Sequence, residues 1–191
     1  MSAANTATVK SSSSSVADRR EGNESAPMIT AIYPDTFDPI TLGHMDVIRR
    51  ISRLYEKVVV SVVMNIEKKP LFDIEERVEL IRKAVRDLQN VEVSCSIELL
   101  SDFVRNYENP VIVKGLRNLV DYEYETTMAV FNKKLNPDLE TFFITADQKY
   151  TYVSSTAVRQ LALYGSDLSE YVPADVAEAV AKKIEYWRGT E

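Results

Sequence analysis

Residues 28–44 read MITAIYPDTFDPITLGH, and the first elements of the predicted fold lie in this segment. Its first six residues form an apolar run of the length of a buried strand, which we expect to stop at Pro34. A loop containing Asp38-Pro39 follows, and helical spacing of apolar residues starts at Met45. A second strand-like run occupies residues 57–64. The order strand, loop, helix, strand predicts a βαβ unit.

The alternation of strands and helices continues to the end of the chain. Further strands are predicted at residues 91–95, 111–114 and 141–145, and further helices at 74–85, 100–107, 121–135, from Ser154 or Ser155 to Tyr164, and from Pro173 to about Trp187. Apolar residues at spacings of four indicate core positions in the last helix. The whole pattern predicts a Rossmann-like α/β fold, an open parallel five-stranded sheet with helices on both faces.

Composition limits the class of protein. The chain has 191 residues, 45% hydrophobic and 27% charged, which is enough for one domain with a sizeable core. Its formal charge of −6 gives no basic field for a nucleic acid backbone. One cysteine and one histidine exclude an intrachain disulfide and a Cys/His zinc site. Because no apolar run approaches the ~20 residues of a spanning helix, we expect a soluble protein of the reducing cytoplasm without a membrane partner.

Residues 1–27 differ in composition from the rest of the chain. They contain a run of serines, mixed charges and almost no large apolar residues. Such a segment cannot bury enough surface to offset the entropy lost on ordering. We therefore predict a disordered extension or an added leader at 1–27 and a folded domain at 28–191.

The loop after the first strand has the features of a phosphate site. In an open parallel sheet, ligands bind beyond the carboxyl ends of the strands. Gly43 and His44 stand there at a helix start, where free amide groups and the helix dipole favour an anion. A lone histidine near a helix start is more often an ordinary surface residue. The glycine and the hydroxyls of Thr36 and Thr41 favour the phosphate site instead.

Two more loops carry groups that suit phosphate. Lys114 and Arg117 stand on either side of Gly115 at the end of the predicted strand at 111–114. The flexible ammonium of a lysine and the planar guanidinium of an arginine together suit the binding of a polyphosphate. Residues 150–156 place hydroxyl groups at another helix start. Each motif alone is also typical of a solvated turn or an ordinary helix cap. Three such loops at one sheet edge together favour a phosphate-binding site.

These residues resemble a known family. They are similar to the motifs of the T/HxGH nucleotidyltransferases and, within them, of the phosphopantetheine adenylyltransferases. The T/HxGH element alone indicates only the superfamily, whereas the loop at 114–117 with the helical segment at 121–125 indicates the pantetheine branch. On this resemblance, residues 28–191 form a nucleotidyltransferase domain. The motifs that carry it are residues 36–44, 69–70 with 75–78, 115–117 with 121–125, and 153–156.

The resemblance implies a reaction. ATP and 4′-phosphopantetheine would give dephospho-coenzyme A and pyrophosphate, a step of coenzyme A biosynthesis. The acceptor phosphate would attack the α-phosphorus of ATP without a covalent enzyme intermediate, so that the enzyme positions the reactants and neutralises developing charge. Mg²⁺ would accompany ATP through phosphate oxygens and water. The resemblance also implies a homohexamer, with coenzyme A as a candidate feedback ligand.

The resemblance assigns roles to residues of this chain. His44 would hold the ATP phosphates and stabilise the transition state without acting as a base, because a phosphate nucleophile is already anionic. The expected catalytic residues are Thr36, His44, Lys68 and Arg117. The expected ATP-binding residues are Thr36, Phe37, His44, Gly115, Leu116, Arg117, Glu125, Tyr150, Thr151, Tyr152, Val153, Ser154, Ser155 and Thr156. The expected acceptor-binding residues are Thr36, Lys68, Leu100 and Lys114, and no metal-ligating residue is expected.

Two residues depart from the family pattern. Lys114 stands where an arginine usually binds the acceptor phosphate, so the charge is kept and the bidentate fork is lost. Asp35 stands where the family has glycine, which allows an unusual backbone angle and close passage of a phosphate. A like charge at ~4 Å costs on the order of 4 kcal/mol at an effective dielectric of about 20. We therefore expect Asp35 to impair transfer unless it pairs with Lys68, Arg117 or magnesium.

Two other functions stay open at this point. One is another T/HxGH nucleotidyltransferase, such as one acting on nicotinamide mononucleotide. The other is a catalytically weak nucleotide- or coenzyme A-binding protein, in which Asp35 has removed transfer while the fold is kept. Turnover of the two acceptors distinguishes the first alternative, and ligand binding without pyrophosphate release distinguishes the second.

Overall fold

A computed structural model describes residues 28–64 and 69–189. Its centre is one sheet of five parallel strands in the order β3-β2-β1-β4-β5. The strands are β1 Thr30–Asp35, β2 Lys57–Val63, β3 Val91–Ser96, β4 Pro110–Leu116 and β5 Glu140–Thr145. The prediction of an open, parallel, five-stranded sheet is confirmed.

Helices cover both sides of the sheet, which confirms the predicted layers. The α-helices are α1 Leu42–Ile51, α2 Ile74–Ala84, α3 Leu100–Phe103, α4 Leu119–Leu135, α5 Ser155–Leu163 and α6 Ala174–Gly189. The helix predicted at 100–107 consists of α3 and a 3₁₀ turn, Val104–Asn106. Asp73 and Glu76 form a capping box at the start of α2. Among the helices of the described ranges, none is long and apolar enough to cross a membrane.

The two faces of the sheet have separate cores. Successive strand residues point to opposite faces. Tyr33 and Val60 lie on one face, which α1, α2, α5 and α6 cover with an extensive core, and we call it the α1 face. Ile32 and Val59 lie on the other face with a smaller core that includes Phe103, and we call it the α4 face because α4 packs there against β4 and β5. The predicted core positions of α6 and the turn before it are buried: Val172, Val176, Val180 and Ile184.

Pro34 does not end the first strand, contrary to our prediction. β1 continues through Pro34 to Asp35 in register with Ser61 and Val62 of β2. The pairing of β1 with β4 covers only residues 30–32, so the missing N–H of Pro34 costs no ladder hydrogen bond on the β4 side. The Pro34 carbonyl accepts a hydrogen bond from Lys114 Nζ at 2.9 Å instead. The longer strand carries Asp35 to the edge of the sheet.

The order of the strands creates a cleft. β1 lies between β2 and β4, and the chain leaves β1 towards β2 on one side and reaches β4 later on the other. Such a reversal of strand order is where open α/β sheets bind ligands. Since β1 and β4 pair only up to Ile32 and Ile112, they separate towards their carboxyl ends.

Candidate active site

A cavity of about 580 Å³ opens at the carboxyl ends of β1 and β4. The loop after β1, the loop after β4 and the start of α5 all contribute to its wall, together with the start of α2. The structure thus brings together the three loops that the sequence singled out. The predicted site residues that line the cavity are Thr36, His44, Gly115, Arg117, Glu125, Tyr150, Val153, Ser154, Ser155 and Thr156.

His44 is fixed by the first turn of α1. Thr41 caps this helix, its hydroxyl accepts a hydrogen bond from the His44 amide at 3.3 Å, and its own amide donates to His44 Nδ1 at 3.0 Å. Because Nδ1 acts as an acceptor, the proton of the neutral ring belongs on Nε2. Nε2 is therefore the donor that His44 offers to a ligand.

Two aromatic rings support the His44 ring. Phe37 has a backbone φ of +47°, and its side chain is fully buried. Its ring meets the rings of His44 and Tyr33 edge to face, with centroid distances of 5.1 and 5.6 Å. Burial and then the charge of Asp35 raise the pKa of Tyr33 well above its ordinary value, which keeps the phenol neutral. The Phe37 side chain, predicted to bind ATP, belongs to this support and does not line the cavity.

Asp35 stands directly in front of His44. Its Oδ1 accepts from the Thr36 amide at 2.6 Å, and its Oδ2 lies 3.6 Å from His44 Nε2. Burial by itself raises the pKa of the Asp35 carboxyl, but His44, then Lys114 and the Thr36 amide outweigh it, so the pKa lies below its ordinary value. The side chain that meets the Asp35 carboxylate is therefore His44, whereas Arg117 is paired with Asp121. Asp35 also has no positive φ, so the backbone freedom of glycine is not needed here.

Lys114 belongs to the α4 face. It alternates with Gly115 along β4, and Gly115 faces α1. Lys114 Nζ lies 2.9 Å from the Pro34 carbonyl and 3.1 Å from Glu125 Oε1. Burial raises the pKa of Glu125, and the charge of Lys114 opposes this shift. The Lys114 side chain does not line the cavity, and its charged partner in this structure is Glu125.

Arg117 is held by the first turn of α4. Its Nε and Nη2 donate to the two carboxylate oxygens of Asp121 at 2.8 and 3.1 Å, and its Nη1 donates to the Val153 carbonyl at 3.1 Å. The hydrogen bond to Asp121 raises the pKa of Arg117. A Cβ at the nearby Gly115 would lie 3.1 Å from Val47, so the glycine allows β4 to approach α1 closely.

The start of α5 forms another part of the cavity wall. Ser154 is the N-cap and accepts from the Ala157 amide at 3.1 Å, as the predicted helix start requires. The Ser155 hydroxyl donates to the Pro39 carbonyl at 2.8 Å, which joins α5 to the loop after β1. The remaining free amide groups of this turn can bind an anion in the cavity.

Some predicted residues do not contribute to the cavity wall. Leu116, Thr151 and Tyr152 belong to the loops around the cavity but do not line it, and Tyr152 is exposed. Leu100 packs against the core of the α4 face. Lys68 lies outside the described residues.

Asp38 and Arg159 are site residues to which sequence reasoning gave no role. Asp38 is buried and accepts from the amides of Leu71 and Phe72 at 2.9 and 3.0 Å. Arg159 Nη1 donates to the same carboxylate at 2.9 Å, so this pair joins α5, the loop after β1 and the turn before α2. The signal in the sequence is the position of Arg159 four residues after Ser155, one turn into the helix and on the same side.

Arg77 of α2 also lines the cavity and was given no role. Its Nη1 donates to the Thr36 carbonyl at 2.9 Å, and its Nε donates to the Asp73 carbonyl at 3.2 Å. Arg77 stands four residues after Asp73, the N-cap of α2, and Arg159 stands five residues after Ser154, the N-cap of α5, so both lie about one turn into their helix. An arginine or lysine about one turn into a helix that starts at the sheet edge is thus the sequence pattern that could have predicted Arg77 and Arg159 as site residues.

Comparison with known proteins agrees with the motifs. The chain matches the cytidylyltransferase-like family model over residues 32–161. A phosphopantetheine adenylyltransferase of Clostridium botulinum (strain 657 / Type Ba4) is 45% identical over 159 residues, which are 83% of this chain and 97% of that protein. A phosphopantetheine adenylyltransferase of Clostridium tetani (strain Massachusetts / E88) is 47% identical over 156 residues, which are 82% of this chain and 98% of that protein.

Solved structures with the same fold have other specificities. A bifunctional NMN adenylyltransferase/ADP ribose pyrophosphatase of Francisella tularensis aligns with a TM-score of 0.64 at 14% identity, over 84% of this chain and 50% of that chain. A nicotinic acid mononucleotide adenylyltransferase of Plasmodium falciparum complexed with NaAD aligns with a TM-score of 0.57 at 14% identity, over 84% and 96%. These likenesses concern the fold alone. The far higher identity to the clostridial proteins, over almost their whole length, decides the family, and the chain belongs to the phosphopantetheine adenylyltransferases within the cytidylyltransferase-like proteins.

Proposed function

We propose that this chain transfers the adenylyl group of ATP to 4′-phosphopantetheine, forming dephospho-coenzyme A and releasing pyrophosphate. The observation that carries the proposal is the family itself, with relatives at 45–47% identity over nearly their full length. The cavity at the carboxyl ends of β1 and β4 supports the proposal. The starts of two helices, together with His44 and Arg159, surround a space that suits a polyphosphate.

On the α1 face, His44 supplies the donor for the reacting phosphates. The Thr41 amide donates a hydrogen bond to Nδ1, which leaves the proton on Nε2. The Phe37 ring packs edge to face against the imidazole and fixes its orientation. A donor held in place before the reaction stabilises developing charge without reorganising in the transition state. The amides at the starts of α1 and α5 add fixed positive ends of helix dipoles on both sides.

The acceptor phosphate approaches from the α4 face in this proposal. Thr36 directly follows β1 and lines the cavity, and Lys114 contacts the Pro34 carbonyl and the Glu125 carboxylate. An acceptor phosphate there replaces Glu125 as the partner of Lys114 and lies next to the α-phosphate of ATP. Lys68, which follows β2 in the sequence, is proposed as a second cation for this group.

Magnesium is proposed to arrive with ATP. Within residues 28–64 and 69–189, no group of three or more His, Cys, Asp or Glu side chains is arranged to hold a metal ion. Asp121 is committed to Arg117 and Glu125 to Lys114, which leaves Asp35 as the cavity carboxylate closest to His44 that could touch a hydrated ion. Mg²⁺ suits such a site, because it keeps several waters and binds substrate phosphates, where it offsets their charge.

A homohexamer is proposed for the assembly. The support comes from α4, which is apolar on several sides yet buries few of its own side chains in this chain. The exposed large apolar residues of α4 and β5 are Leu119, Val120, Tyr122, Tyr124, Met128, Val130, Phe131, Leu135, Phe142 and Phe143. The reducing cytoplasm as compartment, coenzyme A as a feedback ligand and residues 1–27 as an extension outside the catalytic domain complete the proposal.

One contact favours a second candidate function. The Asp35 carboxylate lies 3.6 Å from the donor nitrogen of His44, where an ATP phosphate would otherwise accept the proton. If this contact persists in the complex, the chain binds nucleotide or coenzyme A and transfers poorly. The second candidate is therefore a catalytically weak binding protein.

Pyrophosphate release separates these functions. The full chain is assayed with ATP, Mg²⁺ and either 4′-phosphopantetheine or nicotinamide mononucleotide, and ATP binding is measured by calorimetry in parallel. We expect release with 4′-phosphopantetheine only. Release with nicotinamide mononucleotide instead contradicts the proposed acceptor, and tight ATP binding without release from either acceptor establishes the binding protein.

A further inference from the structure

Arg77 carries a buried charge that the proposed reaction does not yet use. Its side chain belongs to α2 and is only 4% exposed. Its hydrogen bonds go to two backbone carbonyls, those of Thr36 and Asp73. Within the part of the chain that the structure describes, no carboxylate lies within 4 Å of this guanidinium. Carbonyl dipoles leave the full positive charge without a counter-ion.

The other arginines of the cavity wall are different in this respect. Arg117 is paired with Asp121 at 2.8 Å, and Arg159 is paired with Asp38 at 2.9 Å. A buried charge is costly unless an opposite charge and further hydrogen bonds accompany it. Arg77 alone among these three arginines lacks the opposite charge, although it is the most buried of them.

The free donors of Arg77 have access to the cavity. Nη2 makes no hydrogen bond in the described ranges, yet it is not among the fully enclosed side-chain atoms without a partner. The residue itself lines the cavity beside Thr36. The Nη2 group of Arg77 therefore has no hydrogen-bond partner in the described ranges and is partly accessible, so it can donate to a ligand in the cavity.

We propose that Arg77 binds a phosphate oxyanion of the bound ligand, which supplies the missing opposite charge. This inference rests on the proposed function, because it takes its anion from the two substrates. The group expected is a phosphate of ATP or the pyrophosphate product, since α2 covers the same face as His44 and α5. Lys114, on the other face, is left for the acceptor phosphate.

Arg77 would then act in two ways on the same loop. Its Nη1 fixes the carbonyl of Thr36, while its Nη2 reaches the phosphate. A planar guanidinium suits this division, because its donors diverge in a fixed fork. Lysine keeps the charge at this position but cannot reproduce both contacts.

The test compares ligands that differ only in phosphate. Arg77→Gln, Arg77→Lys and the parent chain are titrated by calorimetry with four ligands and with inorganic pyrophosphate. The ligands are ATP, adenosine, 4′-phosphopantetheine and pantetheine. The matched control is Arg82→Gln, which removes an exposed arginine from the same helix. The readout is the ratio of the two affinities within each pair, which a loss of folded protein does not change.

We expect Arg77→Gln to lower the ATP-to-adenosine ratio and the pyrophosphate affinity by about tenfold to a hundredfold, the effect of one hydrogen bond between charged groups. Arg77→Lys should fall between Arg77→Gln and the parent, and Arg82→Gln should match the parent. A fall confined to the phosphopantetheine pair supports the phosphate contact and assigns it to the acceptor. Ratios and pyrophosphate affinity that equal those of the parent overturn the inference about Arg77 alone. A parent chain that prefers none of the phosphorylated ligands overturns the proposed function and this inference with it.

Discussion

The two faces of the sheet differ in how completely the chain covers them. Four helices close the α1 face around an extensive core, and the His44 donor, Arg159 and Arg77 all stand on elements of that face. The α4 face has a smaller core, and Asn132 is the only buried residue among those of α4, whose large apolar side chains are mostly exposed. The exposed apolar side chains of α4 form a patch, and such patches mark contact surfaces.

This difference separates the two halves of the proposed reaction. His44, Arg77 and Arg159, which we propose as phosphate ligands of ATP, stand on helices that pack within one chain. Lys114, expected at the acceptor, stands with its partner Glu125 on the face that the chain leaves partly open. Nucleotide binding should therefore survive changes in assembly, and acceptor binding should be sensitive to them.

The largest effect is expected from the core of the α1 face. Ile81 of α2 is fully buried there, and Ile81→Ala should lower the free energy of unfolding by about 2–5 kcal/mol through lost burial and a residual cavity. Urea denaturation measures the change.

The counterpart on the α4 face is Phe131→Asp. Phe131 is 56% exposed, so the chain should stay folded while the proposed hexamer dissociates, which sedimentation velocity detects. Equal losses of unfolding free energy in both variants, or an unchanged sedimentation coefficient in Phe131→Asp, would break the comparison of the faces.

The next effect concerns the donor on the α1 face. His44→Ala should reduce kcat for pyrophosphate release by about a hundredfold to a thousandfold, because one preorganised donor to the developing charge is lost. The fold should be kept, since His44 lies at the helix start and its removal leaves the core intact. Steady-state kinetics and a thermal melt measure the two outcomes. A folded variant with the turnover of the parent would remove His44 from the mechanism.

A smaller effect is expected on the α4 face. Lys114→Ala should raise KM for 4′-phosphopantetheine by about tenfold and leave KM for ATP nearly unchanged, because a charged hydrogen bond to the acceptor phosphate is lost. Lys114→Arg should lower this KM, since it restores a bidentate fork. Lys182→Ala is the control, as it removes an exposed lysine of α6. Equal changes in both KM values would place Lys114 outside the acceptor site.

Asp35 tests the electrostatics of the α1 face. Asp35→Gly should speed transfer by about fivefold, a cost of about 1 kcal/mol, because the 39% exposure of this carboxylate and its contact with His44 reduce the repulsion of phosphate from the unscreened limit. Asp35→Asn should recover the charge part only. Transfer rates at low and high salt measure the electrostatic contribution of Asp35, because salt screens the repulsion between its carboxylate and the phosphates. Asp35→Gly no faster than the parent at either salt concentration would show that Asp35 does not impair transfer.

The smallest effect is expected from residues 1–27, which lie outside the described part of the chain. Removal of residues 1–27 should change neither the thermal midpoint nor kcat, because the segment has no apolar periodicity with which to dock. Differential scanning calorimetry and the pyrophosphate assay provide the measurements. A midpoint lower by several degrees would show that the segment packs on the domain.

The sequence predicted the elements better than the contacts among them. Periodicity and the cap residues Asp73 and Ser154 act over four or five positions, so they can be recognised from a single sequence. The prediction that β1 ends at Pro34 was wrong, because a proline ends a strand only where its missing N–H would have bonded to a neighbouring strand, and β4 does not pair with β1 at this position. Within the site, the loops were predicted as sets, but the individual contacts of Asp35 and Lys114 were not.

The sequence by itself determined the parallel sheet, its helical layers and the three loops at one edge, because each follows from local periodicity and chain order. The tertiary structure alone decided which charges meet. It brought Asp35 to His44, Lys114 to Glu125 and Arg159 to Asp38. These partners are separated by up to 121 positions in the chain, and their meeting depends on strand register and on the face to which each side chain points.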